Sequence, residues 1–207
     1  MKNNRLYMLL LMSIFLLSLN AKPMRELWQS MPDAMIPYLT KNQRIEFVDF
    51  MDMKVKADVK NQFGEETVMD TLTADFASVR LNASSMMQLR LMPVPDQDSI
   101  ICMVRSVLGP VAESEVLFYD QNWNRIGEQS LSAYEELLIQ KPDTMSQQRF
   151  EELKAMLHPA LIKAALSIND NTLTLDMEAP ILFKDEKVQI KSIIMQRKLN
   201  WDGKSFN

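Results

Sequence analysis

Asp75-Phe-Ala-Ser-Val-Arg-Leu-Asn82, Ser85-Met-Met-Gln-Leu-Arg-Leu-Met92, Ser99-Ile-Ile-Cys-Met-Val-Arg-Ser-Val-Leu108 and Glu115-Val-Leu-Phe-Tyr-Asp120 follow one another along the chain. Each run is short and rich in β-branched and apolar residues, and turn residues separate them, which marks strands. Val79 and Leu81 alternate with Ser78, Arg80 and Asn82, while Met87, Leu89 and Leu91 alternate with Gln88 and Arg90. A period of two predicts strands with one face buried and one wet, paired as an antiparallel sheet. Pro93-Val-Pro95-Asp96 and Gly109-Pro110 punctuate them as turns.

Helical signals precede this block. Met24 to Met31 fits a short helix stopped by Pro32, and Pro37 marks a second break. Thr40-Lys-Asn-Gln43 has the form of a capping box, in which the hydroxyl and the amide each satisfy a first-turn N–H. Ile45, Val48, Met51 and Val55 follow at helical spacing, predicting one apolar face and a helix ending near Lys56 to Lys60, before Gly64.

The same order returns beyond residue 130. Ser132-Ala-Tyr-Glu135 can cap a short turn of helix, and Thr144-Met-Ser-Gln147 a longer helix with Phe150, Leu153 and Leu157 on its apolar face, stopped by Pro159. Ile162–Ile168 and Thr172–Glu178 flank Asn169-Asp-Asn171 as a hairpin. Val188–Leu199 reads as a long strand with a bulge near Ser192, and Trp201-Asp-Gly203 as a turn into a short last strand. The expected fold is therefore α+β, helices packed on antiparallel sheet, in two tandem helix-plus-sheet units at residues 22–130 and 131–207. Gln43-Arg-Ile-Glu46 and Gln148-Arg-Phe-Glu151 open the two longer helices in similar words, and Trp123 and Trp201 close the two strand blocks.

Residues 1–21 read as a signal peptide. Lys2 and Arg5 form the positive segment, Leu6 to Leu19 is uncharged and mostly apolar, and Ala21 offers a small residue for cleavage. The run is shorter than the roughly 20 apolar residues that a spanning helix needs. Removing 21 residues from 207 takes two cations and no acid, so the net charge moves from −4 to −6. A mildly acidic surface argues against nucleic acid, which demands a basic footprint. The one cysteine, Cys102, permits no intramolecular disulfide and lies far from the leader, so a lipoprotein anchor is not expected. It shares a strand face with Ile100 and Val104, as a small buried hydrophobe would.

Candidate chemistry is sparse. His158 is the only histidine, and no Gly-x-Ser-x-Gly elbow exists to pair with it. Glu46, Asp49 and Asp52 recur every three residues on the first long helix, the raw material for carboxylate hydrolysis, although a solvated helix face gives the same pattern. The 17 methionines are scattered over core positions instead of clustered as copper ligands, and no metal or other cofactor is expected. Phe118, Tyr119, Trp123 and Trp201 are the aromatics expected to show on a sheet or loop surface, as a binding platform.

The ordered words Met31-Pro-Asp33, Pro37-Tyr-Leu39, Asp49-Phe50, Asp98-Ser-Ile-Ile-Cys102, Phe118-Tyr-Asp120 with Trp123, and Leu173-Thr-Leu175 resemble a domain-of-unknown-function family of exported proteins from Bacteroidales-type bacteria. The resemblance spans nearly the whole mature chain and implies a periplasmic or secreted protein with no assigned activity. The helix-then-sheet units are also similar to the β-lactamase-inhibitor-protein-like fold. In such a lineage, O-glycosylation at Asp-Ser/Thr before a small or apolar residue is implied at Thr71, Ser99 and Thr144. The expected function is a non-enzymatic binding or interaction module of the cell envelope, its partner another envelope protein or a glycan. A carboxylate-dependent periplasmic hydrolase is the alternative.

Overall fold

The computed structural model describes residues 22–178 and 184–207, so the leader expected at residues 1–21 lies outside the described residues. Helix α1 spans Met24–Ser30 and α2 Lys41–Met53. Strands β1 Asp58–Lys60, β2 Glu66–Leu72, β3 Phe76–Asn82, β4 Ser85–Met92, β5 Ile100–Leu108, β6 Ala112–Tyr119 and β7 Arg125–Gln129 form a seven-stranded antiparallel sheet in sequence order. A 3-10 segment, Ser132–Leu138, and α3, Gln147–Ala155, lead to β8 Leu161–Leu166 and β9 Thr172–Glu178. Helix α4, Lys184–Lys191, and β10, Arg197–Asn200, complete a three-stranded sheet in the order β10-β9-β8. The α+β architecture is as the strand and helix periods require.

The large sheet is buried on both faces at its centre. Ile101, Met103, Leu117 and Tyr119 face α1 and α2, where Leu27, Trp28 and Phe47 fill one core. Cys102, Val104, Val116 and Phe118 face the other way, into a second core with Leu153, Ile162, Leu173, Leu175, Ile193 and Phe206. The wet face expected for β4 is thus a second interior, covered by residues 131–207. The continuous apolar run Ile100–Val104 is the sequence form of such two-sided burial.

Arg90 joins the layers. Its guanidinium leaves β4 on the second face and is 5 % exposed. It donates to the carbonyls of Ser167 and Ile168 (2.9 and 3.1 Å), to Asn171 Oδ1 (3.1 Å) and to Asp75 Oδ2 (3.1 Å). Nearby, the outer edge of β8 is closed by side chains instead of a strand: Ala164 N donates to Ser114 Oγ and Leu166 N to Gln88 Oε1. These contacts satisfy edge amides that would otherwise be buried without partners.

Four expectations are corrected. The run Val188–Leu199 is not one strand: it begins in α4 and reaches β10 only at Arg197. Ile190, inside α4, and Ile193, in the turn that follows it, are both buried, while Val188 faces solvent at 69 % exposure. Of the expected α2 stripe Val48 is buried and Met51 packs against the core, but Arg44 and Phe47 form the rest of the inward side, Val55 lies past the helix and is exposed, and the helix stops at Met53 because Lys54 turns left-handed at φ 56°. Strands β1, β2 and β7 lie where polar residues hide the alternation, as in Glu66-Thr-Val-Met-Asp-Thr-Leu72. Ser146, not Thr144, caps α3, accepting from Arg149 N.

Replacing Arg90 with Ala leaves two hairpin carbonyls and an amide oxygen without their donor. The expected loss is roughly 2–4 kcal/mol in urea-unfolding midpoint analysis, with the Asp75 pair counted low because that carboxylate is half exposed.

Candidate functional site

The helical layer stops short of the far ends of β4, β5 and β6, leaving a groove of about 420 Å³ on the sheet face. Tyr38 walls it, and Ser85, Arg105, Val107, Glu113 and Glu115 line it. Register places Arg105 opposite Glu115 and Val107 between Ser85 and Glu113, so these side chains stand side by side on one face.

Tyr38 is held there by a buried cation. Arg44 projects from α2 into the segment before it and donates to Leu39 O (2.8 Å), Met31 O (2.8 Å) and Asp33 Oδ1 (2.7 Å). Trp28 Nε1 donates to the Arg44 carbonyl at 2.9 Å. Two carbonyls of this segment thereby gain a charge-assisted partner, which fixes residues 31–39 around their single short 3-10 turn, Asp33–Met35. The Thr40 capping box starts α2 at this point, and Gln43 Nε2 reaches on to Lys60 O at the end of β1 (2.6 Å).

From β1 the chain enters a turn that displays Phe63. Asn61 Oδ1 accepts from Phe63 N and Glu65 N, Gln62 N donates to Tyr38 O (3.0 Å), and Gly64 takes φ 81°. The left-handed position suits glycine alone without strain. Phe63 is 79 % exposed, with its ring 6.2 Å from that of Tyr38.

The charges in the groove are under-used. Arg105 Nε stands 3.6 Å from Glu115 Oε1, too far for a hydrogen bond, and both side chains are about half exposed. Among the described residues the Arg105 side chain makes no hydrogen bond. Burial pushes the Tyr38 phenol up, against the opposing pull of Arg105 and the Ser85 hydroxyl, so it stays a neutral donor and acceptor. A second hollow, of about 650 Å³, differs in this respect: its Lys56 is paired with Asp58 and Glu66, and Arg80 with Asp70.

The aromatics singled out from sequence do not make this surface. Phe118, Tyr119 and Trp123 are 6 %, 8 % and 7 % exposed and serve as core, because strand alternation sends Phe118 to one interior and Tyr119 to the other. Trp123 donates to Leu27 O, and half-buried Trp201 packs tilted against Phe118 and edge-on against Phe206 while donating to Pro93 O. Tyr38 and Phe63 take their place. The signal that finds them is Asn61-Gln-Phe-Gly64, an Asx turn carrying an aromatic at its tip.

Glu46 and Asp49 are exposed on α2, Asp52 is held by Arg25 at 2.6 Å, and none of the three lines the groove. His158 Nδ1 lies 3.5 Å from Glu135, on the surface. No group of three or more potential metal-ligating residues occurs among the described residues. Thr71 lies within β2 beside its bulge and not in a turn, Ser99 is half-buried just before β5, and Thr144 is exposed in a turn.

These features define an α+β sheet protein with a side-chain-lined groove on one face. The chain belongs to the family described as a protein of unknown function, DUF3256, whose model matches residues 16–206. Among solved structures it is similar to a domain of an uncharacterized protein from Porphyromonas gingivalis W83. That match has a TM-score of 0.72 at 21 % identity, over 89 % of this chain and 98 % of that one. No curated protein matches it.

Cys102 is fully buried, and desolvation pushes its thiol far above the usual range. The folded protein is expected to leave a thiol-reactive disulfide reagent unconsumed at pH 8 and to consume one equivalent after denaturation.

Proposed function

We propose that the protein is a non-enzymatic binding or protein-interaction module of the cell envelope, exported on a leader at residues 1–21, and that the groove beside Tyr38 is its binding face. The observation that carries this reading is a half-exposed guanidinium, Arg105, left without a hydrogen bond among the described residues, in a groove whose Tyr38 wall stands 6.2 Å from the turn-displayed ring of Phe63. Aromatic and arginine side chains dominate recognition surfaces because they combine large contact area with fixed geometry. The division into units 22–130 and 131–207 belongs to the same reading, since the first segment carries the groove and the second seals the opposite face of its sheet.

No helix among the described residues is long and apolar enough to cross a membrane. The export reading rests on the charged-then-apolar pattern of Lys2 to Ala21. Of the three Asp-Ser/Thr positions, Thr144 is the exposed one in a turn and is the position where an O-glycan would sit. Protein isolated from its host should then exceed the cleaved mass by a glycan, and Thr144→Ala should remove the excess.

The binding reading is tested by immobilising the full chain and passing envelope extract over it, with Phe63→Ala and Arg105→Gln variants alongside. Both positions are surface sites, so folding should be retained. Specific capture by the native protein that falls about tenfold in either variant is the expected result. Equal capture by all three proteins would reject this groove as the binding face. Substituting Glu46, Asp49 and Asp52 together tests the hydrolase alternative, which requires a measurable activity that the triple variant lacks.

A further inference from the structure

We infer that the partner is a protein that lends an extended, lysine- or arginine-bearing segment to the empty lane beside Ala112–Glu115 of β6, an inference that rests on the binding reading above and names the partner's class. β6 pairs with β5 along its whole length, but β7 accompanies it only from Val116, opposite Gln129, to Tyr119. After Gln129 the chain leaves the sheet. Leu131 is drawn into the second core, and the Tyr134 hydroxyl behind it donates to Phe206 O. In an antiparallel ladder successive residues aim their N–H and C=O to alternate sides. Two of the four residues from Ala112 to Glu115 therefore aim away from β5, and no backbone group among the described residues meets them.

The other strand edges are spent or broken. At β8, Ala164 N and Leu166 N already donate to Ser114 and Gln88. At β10, Asn200 exchanges both of its backbone bonds with Asn207. β1 is three residues long, and its Lys60 carbonyl accepts from Gln43. The outer strand β7 carries a bulge, its register passing from Gly127 to Arg125 and leaving Ile126 out, which spoils an edge for pairing. The lane at Ala112–Glu115 has no register shift and adjoins the groove, which Glu113, Ser114 and Glu115 line. Donors and acceptors repeating at the strand spacing are the complement of another extended main chain, which docks by adding itself as a strand.

Cross-strand neighbours set the character of that segment. On the groove side its side chains stand next to Glu113 and Glu115. Glu113 is exposed and meets no cation among the described residues, while Glu115 has Arg105 Nε at 3.6 Å. An acidic side chain in the lane is repelled, and a lysine or arginine opposite Glu113 is attracted. On the other face lie Ala112 and Ser114, both half-buried, and Ser114 Oγ is already engaged with Ser106 Oγ and Ala164 N. Small uncharged residues suit the alternate positions there. The segment so defined alternates basic and small residues. The rest of the partner then covers the groove, where Arg105 and Tyr38 stand, so Arg105 contributes to capture of the whole partner from outside the strand contact.

The test adds short end-capped peptides to the isotope-labelled full chain and follows backbone amides by NMR. The first peptide alternates threonine and lysine, and the second threonine and glutamate. The third is the first with every amide N-methylated, which keeps the charge and removes the N–H donors. The expected result is that the first peptide alone shifts the amides of Ala112–Glu115 and slows exchange of those that aim outward. Glu113→Lys should weaken that binding about tenfold, since an attractive exposed pair becomes a repulsive one, and Glu151→Lys on α3 should leave it unchanged. Equal binding of the N-methylated peptide means attraction without strand addition, and equal binding of the glutamate peptide means no selection for a cation; either overturns the inference. If no peptide reaches the lane while envelope capture still depends on Arg105 and Phe63, the inference falls and the binding reading stands. If capture is indifferent to those two substitutions as well, both fall together.

Discussion

The guanidinium of Arg90 stands between two sheets, and the rest of the architecture depends on what it connects. It leaves a strand of the seven-stranded sheet and ends on the hairpin carbonyls of the three-stranded one. The same layer contact is sealed by Gln88 and Ser114, which accept from the free edge of β8. Polar groups here define where one layer sits on the other, because an apolar contact alone is non-directional. The large sheet contributes side chains to both cores, so neither side of it is an independent interior.

That arrangement also decides where a surface remains. The helices α1 and α2 cover one face only as far as Tyr38, and residues 131–207 are spent on the other face. The far ends of β4, β5 and β6 are left bare on the helix side, and the groove is what is left. Its walls descend from a second buried arginine. Arg44 fixes the irregular segment that carries Tyr38, Tyr38 anchors the turn that carries Phe63, and Gln43 ties both to β1. One Nε of Arg44 stays unpaired, a small residual cost inside an otherwise satisfied cluster.

Much of this was legible in the residues. The four strand runs, the hairpin at Asn169–Asn171, the Thr40 capping box and the buried Cys102 follow from local pattern, since each depends on neighbours within a few positions. The failures share a cause. Arg44 and Arg90 are cations that become interior only because distant carbonyls meet them, and no local period announces that. Phe118 reads as a surface aromatic because nothing local announces the second covering layer, and Tyr119 and Trp123 because nothing local announces that α1 packs over their side of the sheet. The turn at Asn61–Gly64 is visible as sequence, yet its aromatic meets its ring neighbour, Tyr38, only in the fold.

The similarity in fold to the Porphyromonas gingivalis domain covers 89 % of this chain, too much to leave out the second layer. The central physical claim is that both layers close on one shared sheet and unfold as one body. Native-state hydrogen exchange across a urea series tests it directly. The account predicts that amides of β8 and β9 share the global opening free energy of those in β3 to β5. Opening of residues 131–207 at lower urea, with β3 to β5 still protected, would contradict it.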